Sequence, residues 1–203
     1  MEDKQLPVYL EGSYESIYGN FGYRFAALLL DGLILAPISI AALVFNTMSL
    51  HNIYISIICS NIIALTYQIY LPAKFGGTPG KLIMGLRILK MNGDALTLND
   101  AFKRYLPNLL IALIAIINTL FAVAKADEKT YNTLNWIKQS QYLQDLNSNM
   151  FYIQMVSIYA VLFTSFIIFM FNERKRSLSD LSGDTAVVKK IYLTKIQEIM
   201  KKS

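Results

Sequence analysis

Four long apolar blocks constrain this chain more than any other feature of its sequence. The blocks hold a single charged residue, Asp31, and they are residues 25–45, 53–73, 109–124 and 152–171. A helix of about 20 residues rises 1.5 Å per residue and so spans the roughly 30 Å hydrocarbon core of a bilayer. Hydrophobic residues make up 54% of the chain and charged residues 16%, which is more apolar than a soluble domain of this size needs. We therefore predict an all-α integral membrane protein with four transmembrane helices.

Two of the blocks need a further argument. The third block reaches bilayer thickness only if its helix begins at Tyr105 and places Pro107 in the first turn, where proline is tolerated. In the first block Asp31 costs roughly 2.5–3.5 kcal/mol, while the twelve Leu, Ile, Val and Phe residues around it gain about 5 kcal/mol together. The block is also too long, and follows too acidic a segment, for a cleaved signal peptide. The predicted spans are therefore about 25–45, 53–73, 105–124 and 152–171.

The distribution of Lys and Arg predicts the orientation of these spans. Of the 19 such residues, 16 fall in the segment 1–24, the 74–104 loop and the tail after span four, and three fall in the segment 125–151. Because Lys and Arg of short flanking segments stay in the cytoplasm, both termini and the 74–104 loop are predicted to be cytoplasmic, and 125–151 an extracytoplasmic insert. The net charge of +5 then follows from topology, and no nucleic-acid partner is expected.

The cytoplasmic loop contains the glycine-rich run Gly76-Gly77-Thr78-Pro79-Gly80-Lys81. A phosphate-binding P-loop is excluded by spacing, because that motif needs Gly where the chain has Phe75 and Ser or Thr where it has Leu82. We predict a tight glycine turn that leaves the membrane, in which Gly80 needs a backbone conformation closed to other residues.

A small cytoplasmic β-ribbon is predicted between spans two and three. The run Asn92-Gly93-Asp94 lies between the apolar stretches 86–90 and 95–98, which is a strong hairpin signal. Thr97 or Asn99 is then expected to cap the helix of span three. The Val-rich stretch 185–188 has strand character and is expected to add a third strand.

Polar residues inside the spans form a candidate polar core. Counting from the predicted cytoplasmic ends places Asp31, Gln68 and Thr164 at one depth, about 8–10 Å into the core, and Asn61 and Asn118 at about 18–20 Å. Two interpretations remain open at this point. The polar side chains either make ordinary interhelical hydrogen bonds or form a polar track that leads to Asp31.

Arg24 precedes Asp31 by seven residues, which places both on one face of the first helix. An ionisable side chain inside a span faces a partner, water or the bundle interior, and is a functional hypothesis by default. The structural alternative is an ion pair of Asp31 with Arg24, Arg87 or Arg104 that fixes helix packing.

The scarcity of reactive side chains limits the chemistry. Cys59 and His51 are the only residues of their types, so a disulfide and a thiolate zinc site are excluded. Neither a Ser–His–Asp trio nor an acid pair at catalytic spacing occurs in the sequence. We expect no metal, no cofactor and no enzymatic activity.

The two segments outside the spans are expected to form interfacial helices. The insert mixes Trp136 and Ile137 with charged residues, and the tail 189–203 mixes Ile196 and Met200 with four lysines after Lys189. Such amphipathic helices lie in the headgroup region of a bilayer.

Taken together, these residues resemble the bacterial RDD family from about residue 18 to residue 188. The family is named for one arginine and two aspartates, which match Arg24, Asp31 and Asp180. The most specific match is the glycine-rich run, followed by Gly85-Leu86-Arg87 and the stretch 176–183. The chain departs from the family in the long segment 125–150 and in Ser179, where a histidine often precedes the aspartate. The resemblance implies a multi-pass protein of the bacterial inner membrane whose activity is largely unknown, with cation/proton antiport in some members.

Two function classes follow from these observations. The first is transport coupled to monovalent cations or protons and centred on Asp31. The second is a non-enzymatic accessory or assembly protein in which the Arg and Asp residues are structural. Because four spans enclose little space, a transporter of this size is expected to be a homo-oligomer in the lipid bilayer.

Overall fold

The computed structural model of the protein describes residues 5–10 and 14–202, without the side chains of residues 201 and 202. Lys4 of the predicted N-terminal segment and the side chains of Lys201 and Lys202 lie outside the described residues. The described helices are α1 (Phe21–Met48), α2 (Asn52–Leu65), α3 (Leu71–Phe75), α4 (Pro79–Ile83), α5 (Leu98–Lys125), α6 (Glu128–Thr133), α7 (Trp136–Asp145), α8 (Ser148–Phe171), α9 (Leu178–Ser182) and α10 (Leu193–Lys202). The strands are β1 (Leu86–Lys90) and β2 (Thr185–Lys189), and two shorter pieces are a π-helical turn (Thr66–Tyr70) and a 3₁₀ turn (Lys190–Tyr192).

Four helical stretches of the described chain are long and apolar enough to cross a membrane, and they confirm the predicted fold class. They are Phe21–Met48, Asn52–Ile83, Leu98–Lys125 and Ser148–Phe171. The second stretch is interrupted after α3, where Gly76 adopts a left-handed conformation with φ of 75° and closes the helix. This tight glycine turn is the one that the sequence predicts, because a left-handed residue after a helix is typically glycine.

Helix α5 begins at Leu98, seven residues before the predicted start of span three at Tyr105, so Pro107 lies inside the helix and not in its first turn. The reason is a capping box. The Thr97 hydroxyl accepts a hydrogen bond from the Asp100 backbone N–H (3.3 Å), and the Asp100 carboxylate accepts one from the Thr97 N–H (3.0 Å). These bonds satisfy donors of the first turn and start the helix directly after Thr97. Of the two expected caps, the structure uses Thr97.

The sheet has two antiparallel strands, and its pairing differs from the predicted hairpin. Strand β1 pairs with β2 in a register that runs from Leu86 opposite Lys189 to Lys90 opposite Thr185. The expected hairpin partner contributes a single bridge, between Leu89 and Ala95. Strand β2 contains four consecutive apolar or β-branched residues, so it can pair with β1 over a longer stretch than the short segment before the α5 cap. The segment expected as a third strand is therefore the principal partner of β1.

The chain forms two compact units, and each contains residues of all four candidate spans. The first unit comprises the described residues of 1–34, 65–107 and 163–203, and the second comprises 35–64 and 108–162. One core of the first unit joins the N-terminal segment, the sheet and α10, with Leu6, Ile17, Val188 and Ile196 fully buried. Met200 packs against the same core. Ile196 and Met200, which the sequence assigns to a lipid surface, therefore pack against the core that contains the sheet.

The core of the second unit is smaller. Leu50, Ile53, Val123 and Tyr131 are its buried members, and Tyr142 and Leu143 of α7 pack against them. Helices α6 and α7 of the insert thus fold onto the ends of spans one to three within this unit.

Candidate functional site

Asp31 is buried in α1 and receives three short hydrogen bonds. The Tyr67 hydroxyl donates to Oδ1 at 2.6 Å, and the Gly80 backbone N–H donates to the same oxygen at 2.6 Å. The Thr78 hydroxyl donates to Oδ2 at 2.6 Å. Hydrogen bonds to an ionised acceptor are the stronger class of such bonds. Both carboxylate oxygens are therefore occupied by donors from the chain itself.

The glycine-rich turn is built to present these donors. Thr78 precedes α4 with an extended backbone, but its hydroxyl bonds Asp31 and makes no cap of its own helix. Pro79 occupies the first helical position, where a missing N–H costs nothing. The Gly80 N–H is one of the donors that a helix leaves unsatisfied in its first turn. Asp31 therefore caps α4 from another helix, because its Oδ1 atom accepts a hydrogen bond from this first-turn N–H.

Gly80 is required for space and not for an unusual backbone conformation. A Cβ atom at this position would lie 2.2 Å from the Ala27 carbonyl oxygen and 2.7 Å from Asp31 Oδ1. The described glycines with positive φ are Gly76, Gly85 and Gly93. The prediction that Gly80 needs a conformation closed to other residues is thus wrong in its reason, because the close approach of α1 is what excludes a side chain.

Tyr67, whose hydroxyl donates to Asp31, lies in the π-helical turn of span two. Its side chain is buried, with 7% of the residue exposed. A π-helical turn is a local departure from regular helix geometry that recurs at functional sites. Here it lies at the residue that donates to Asp31.

Asp180 forms a second buried carboxylate site. The Arg24 guanidinium donates to Oδ2 at 2.6 Å, and the Arg104 guanidinium donates to Oδ1. The Ser177 backbone N–H also donates to Oδ2, at 2.9 Å, within a capping box at the start of α9. Burial by itself raises the pKa of Asp180, but the charges of Arg104 and Arg24 outweigh it and hold that pKa below its usual range.

The two arginines that bind Asp180 also form hydrogen bonds with several other elements. Arg24 donates from Nε to the Gly19 carbonyl oxygen (3.0 Å) and from Nη2 to the Lys175 carbonyl oxygen (2.6 Å). Arg104 donates to the Thr185 hydroxyl at the start of β2 (2.6 Å). We call Arg24, Asp180 and Arg104 the arginine clamp. It ties α1, α5, α9 and β2 together within the first unit.

The three residues that match the family name are therefore divided between two sites. Arg24 bonds Asp180 and not Asp31, so the open alternative of an Arg24–Asp31 ion pair is wrong. Arg104, another candidate partner of Asp31, also bonds Asp180. Arg87, the third candidate, donates to the Leu86 carbonyl oxygen at 3.2 Å.

The other residues of the glycine-rich run lie around the Asp31 site. Lys81 places Nζ 3.5 Å from the Thr78 hydroxyl oxygen, which itself donates to Asp31. Gly77 is buried, and a Cβ atom there would lie 3.1 Å from a Leu82 methyl carbon. Both positions thus support the turn that delivers Thr78 and Gly80 to the carboxylate.

Gln68 and Thr164, which the sequence places at the same depth as Asp31, do not bond to it. Gln68 and Thr164 are exposed in the structure, and the groups that bond Asp31 are Tyr67, Thr78 and Gly80. Counting residues along a helix predicts the depth of a side chain but not the face of the helix on which it lies. Gln68 and Thr164 lie on exposed faces.

The deeper polar residues make ordinary interhelical or local hydrogen bonds. Asn118 donates to the Gln154 side chain at 2.8 Å and accepts from the Asn147 side chain at 3.0 Å. Asn61 donates to the Ile57 carbonyl oxygen of its own helix at 2.7 Å. Of the two open interpretations, these contacts support helix packing.

Sequence reasoning missed several members of the two sites. The sequence does not predict Tyr67 and Thr78 as site residues, although Thr78 lies inside the glycine-rich run. The pair Ser177 and Asp180 had a local signal, because Ser followed three residues later by an acid predicts a capping box. Nothing local marks Tyr67, since it lies 36 residues from Asp31. Within the described part of the chain, no group of three or more His, Cys, Asp or Glu side chains could hold a metal ion.

Comparison with known proteins identifies the family. The model of the RDD family matches residues 18–184, which include both carboxylate sites and all four candidate spans. Curated proteins gave no match, and neither did solved structures. By the extent of this match, the chain is a membrane protein that belongs to the RDD family.

Proposed function

We propose that the protein is a non-enzymatic membrane accessory or assembly protein in which Arg24, Asp31 and Asp180 are structural. The observation that carries this proposal is that both oxygens of the Asp31 carboxylate accept hydrogen bonds from the chain, three in all. A carrier must exchange its protein contacts for a proton or a cation in each cycle. Hydrogen bonds to charged groups contribute about 1.5–3 kcal/mol each, so releasing Asp31 from three of them is costly.

The arginine clamp supports the same proposal. A fully buried aspartate held by two guanidiniums keeps its charge over the physiological pH range, because both cations favour the ionised form. A permanently ionised and doubly paired group stabilises structure and offers no proton to transfer. The proposed setting is the bacterial inner membrane with both termini in the cytoplasm, and the distribution of Lys and Arg supports this orientation.

The test is a measurement of ion exchange by the wild-type protein in vesicles. Purified protein is reconstituted at a density at which a known antiporter gives a clear signal, and a pH gradient is imposed. Addition of Na⁺, K⁺ or Li⁺ is expected to leave the internal pH unchanged. A cation-dependent pH change that increases with the amount of folded protein would overturn the structural proposal.

A second candidate, cation/proton-coupled transport, is favoured by one specific observation. Lys81, Thr78, Asp31 and Tyr67 form a continuous series of polar contacts in which two hydroxyl groups flank the carboxylate. Hydroxyl groups both donate and accept hydrogen bonds, so such a series is suited to passing a proton. If the vesicles show exchange, replacement of Tyr67 by Phe is expected to slow it, because the phenolic hydroxyl is one end of the series. Exchange at the wild-type rate in Tyr67→Phe would remove this route.

A further inference from the structure

The insert between spans three and four is held at the end of the first span. The Tyr131 hydroxyl of α6 donates to the Asn46 carbonyl oxygen at 3.1 Å. The buried side chain of Gln139 in α7 donates to the Thr47 carbonyl oxygen at 3.3 Å. Asn46 and Thr47 lie in the last three residues of α1. Helix α7 is therefore fixed at the level at which α1 ends.

Helix α7 has an inner and an outer face. Gln139 is only 3% exposed, and Tyr142 and Leu143 pack against the core of the second unit. On the outer face, Trp136 and Ile137 are 55% and 49% exposed. The other exposed residues of α7 are uncharged or basic until the final Asp145. A large aromatic and a large aliphatic side chain thus project side by side from the first turn of the helix, with no carboxylate beside them.

Exposed aromatic residues also lie near the first residues of two spans in the same unit. Tyr54 is the third residue of α2 and Tyr152 the fifth residue of α8, which places them about 3 Å and 6 Å from the starts of their helices. Both are exposed, by 39% and 66%. Trp and Tyr are enriched where spans leave the hydrocarbon core, because their rings are apolar and their polar atoms reach water or headgroups.

We propose that Trp136 and Ile137 insert into the headgroup boundary of the membrane and continue the aromatic belt of Tyr54 and Tyr152. The occupant of this exposed face is lipid, because the face continues the exposed ends of the spans and carries no acidic side chain before Asp145 at the far end of α7. The insert then acts as a lateral anchor that lies on the membrane surface. This assignment is independent of whether the protein transports ions.

The test uses the fact that Trp136 is the single tryptophan of the chain. Wild-type protein is reconstituted into vesicles of phosphatidylcholine that carries bromine at a shallow or at a deep position of the acyl chain. Shallow bromine is expected to quench the tryptophan fluorescence more strongly than deep bromine. The emission is also expected to be blue-shifted from that of tryptophan in water, with reduced quenching by acrylamide.

Two variants calibrate the depth scale in the same protein. Trp136→Phe combined with Tyr14→Trp places the fluorophore at a fully exposed residue of the N-terminal segment, where bromolipid is expected to have no effect. Trp136→Phe combined with Tyr159→Trp places it on the exposed face in the middle of α8, where deep bromine is expected to quench most. A wild-type signal that matches the Tyr14 variant would overturn the proposal. Acrylamide protection without any bromolipid quenching would also overturn it, because a protein contact would then cover Trp136.

Discussion

Arg24 and Asp180 lie 156 residues apart in the sequence and are joined by a hydrogen-bonded ion pair of 2.6 Å. Arg24 is in the first turns of span one, and Asp180 follows span four. This pair therefore connects the start of the first span to the segment that follows the last span. Because Asp180 has no exposed side-chain surface, its charge depends on the two arginines of the clamp. The clamp is thus the point at which the tail is fastened to the first and third spans.

The first prediction ranks the losses of stability caused by substitutions in the arginine clamp. Asp180→Asn leaves two buried guanidiniums facing an uncharged group, and breaking a buried pair typically costs about 3–5 kcal/mol. Arg24→Gln is expected to cost less, because Arg104 still neutralises Asp180. Thermal melting in detergent measures both, with Lys103→Gln at an exposed position of α5 as the control expected to be neutral. Arg24→Gln melting below Asp180→Asn would contradict this description of the clamp.

The second prediction concerns the stability of the folded protein at acidic pH. The pKa of Asp180 is lowered on folding from its ordinary value of 3.8, so the unfolded chain binds this proton at a higher pH than the folded protein. The stabilisation is therefore complete above about pH 5 and is lost progressively as the pH falls through 3.8 towards the folded pKa. Melting temperatures between pH 7 and pH 3 are expected to fall more steeply for wild type than for Asp180→Asn. Parallel acid profiles for the two proteins would assign the acid sensitivity to other groups.

The third prediction compares two glycines near Asp31. Gly80→Ala forces a methyl group to within 2.2 Å of the Ala27 carbonyl oxygen, and overpacking of this kind typically costs about 1–3 kcal/mol. Gly32→Ala, one residue after Asp31, meets nothing within 4 Å. It is expected to be neutral or to stabilise α1 by up to about 1 kcal/mol, since Ala is the better helix former. Equal melting temperatures for the two variants would show that α4 can move away from α1 without loss.

The sequence predicts local structure well where the signal is local. The four apolar blocks give the four spans, because desolvation of a helix depends on its own composition. The tight glycine turn and the capping of α5 by Thr97 also follow from neighbouring residues, although the left-handed glycine is Gly76 and not Gly80. The apolar block alone predicts a start at Tyr105, whereas the Thr97 cap marks where the helix itself begins.

The partners of the buried charges could not be predicted in the same way. Asp31 is bonded by groups 36, 47 and 49 residues away, and helical periodicity says nothing about contacts between helices. Arg24 and Asp31 do share a face of α1, but the clamp draws Arg24 to Asp180. The strand pairing has the same cause, since β2 reaches β1 only after the chain has completed all four spans.

The fourth prediction concerns orientation. Reporter fusions after residue 90 and at the C-terminus are expected to be cytoplasmic, and fusions near residue 140 external, because 16 of the 19 Lys and Arg residues lie on one side of the predicted topology. A reporter active only in the cytoplasm and one active only outside it measure both cases. An external C-terminus would mean that one of the four helices does not cross the membrane.

The last prediction separates the two proposed functions at Asp31 through a graded series of variants. In Asp31→Asn, the carbonyl oxygen can still accept from Tyr67 and Gly80, and the amide can donate to the Thr78 hydroxyl, which rotates to accept. The structural proposal therefore expects a modest loss of thermal stability. Asp31→Leu keeps the branched shape of the side chain, is larger, and leaves three donors unsatisfied at about 1–3 kcal/mol for each buried group, so a large loss is expected.

The transport proposal expects a different order in the same series. Asn cannot titrate, so Asp31→Asn would abolish exchange in vesicles as completely as Asp31→Leu, although the two proteins differ in stability. Measuring melting temperature and ion exchange on the same preparations distinguishes the cases, with Thr78→Val as a matched variant that removes one donor and leaves the carboxylate in place. If Asp31→Asn melts as low as Asp31→Leu, the hydrogen bonds that occupy the carboxylate do not explain why an acid is present in the first span.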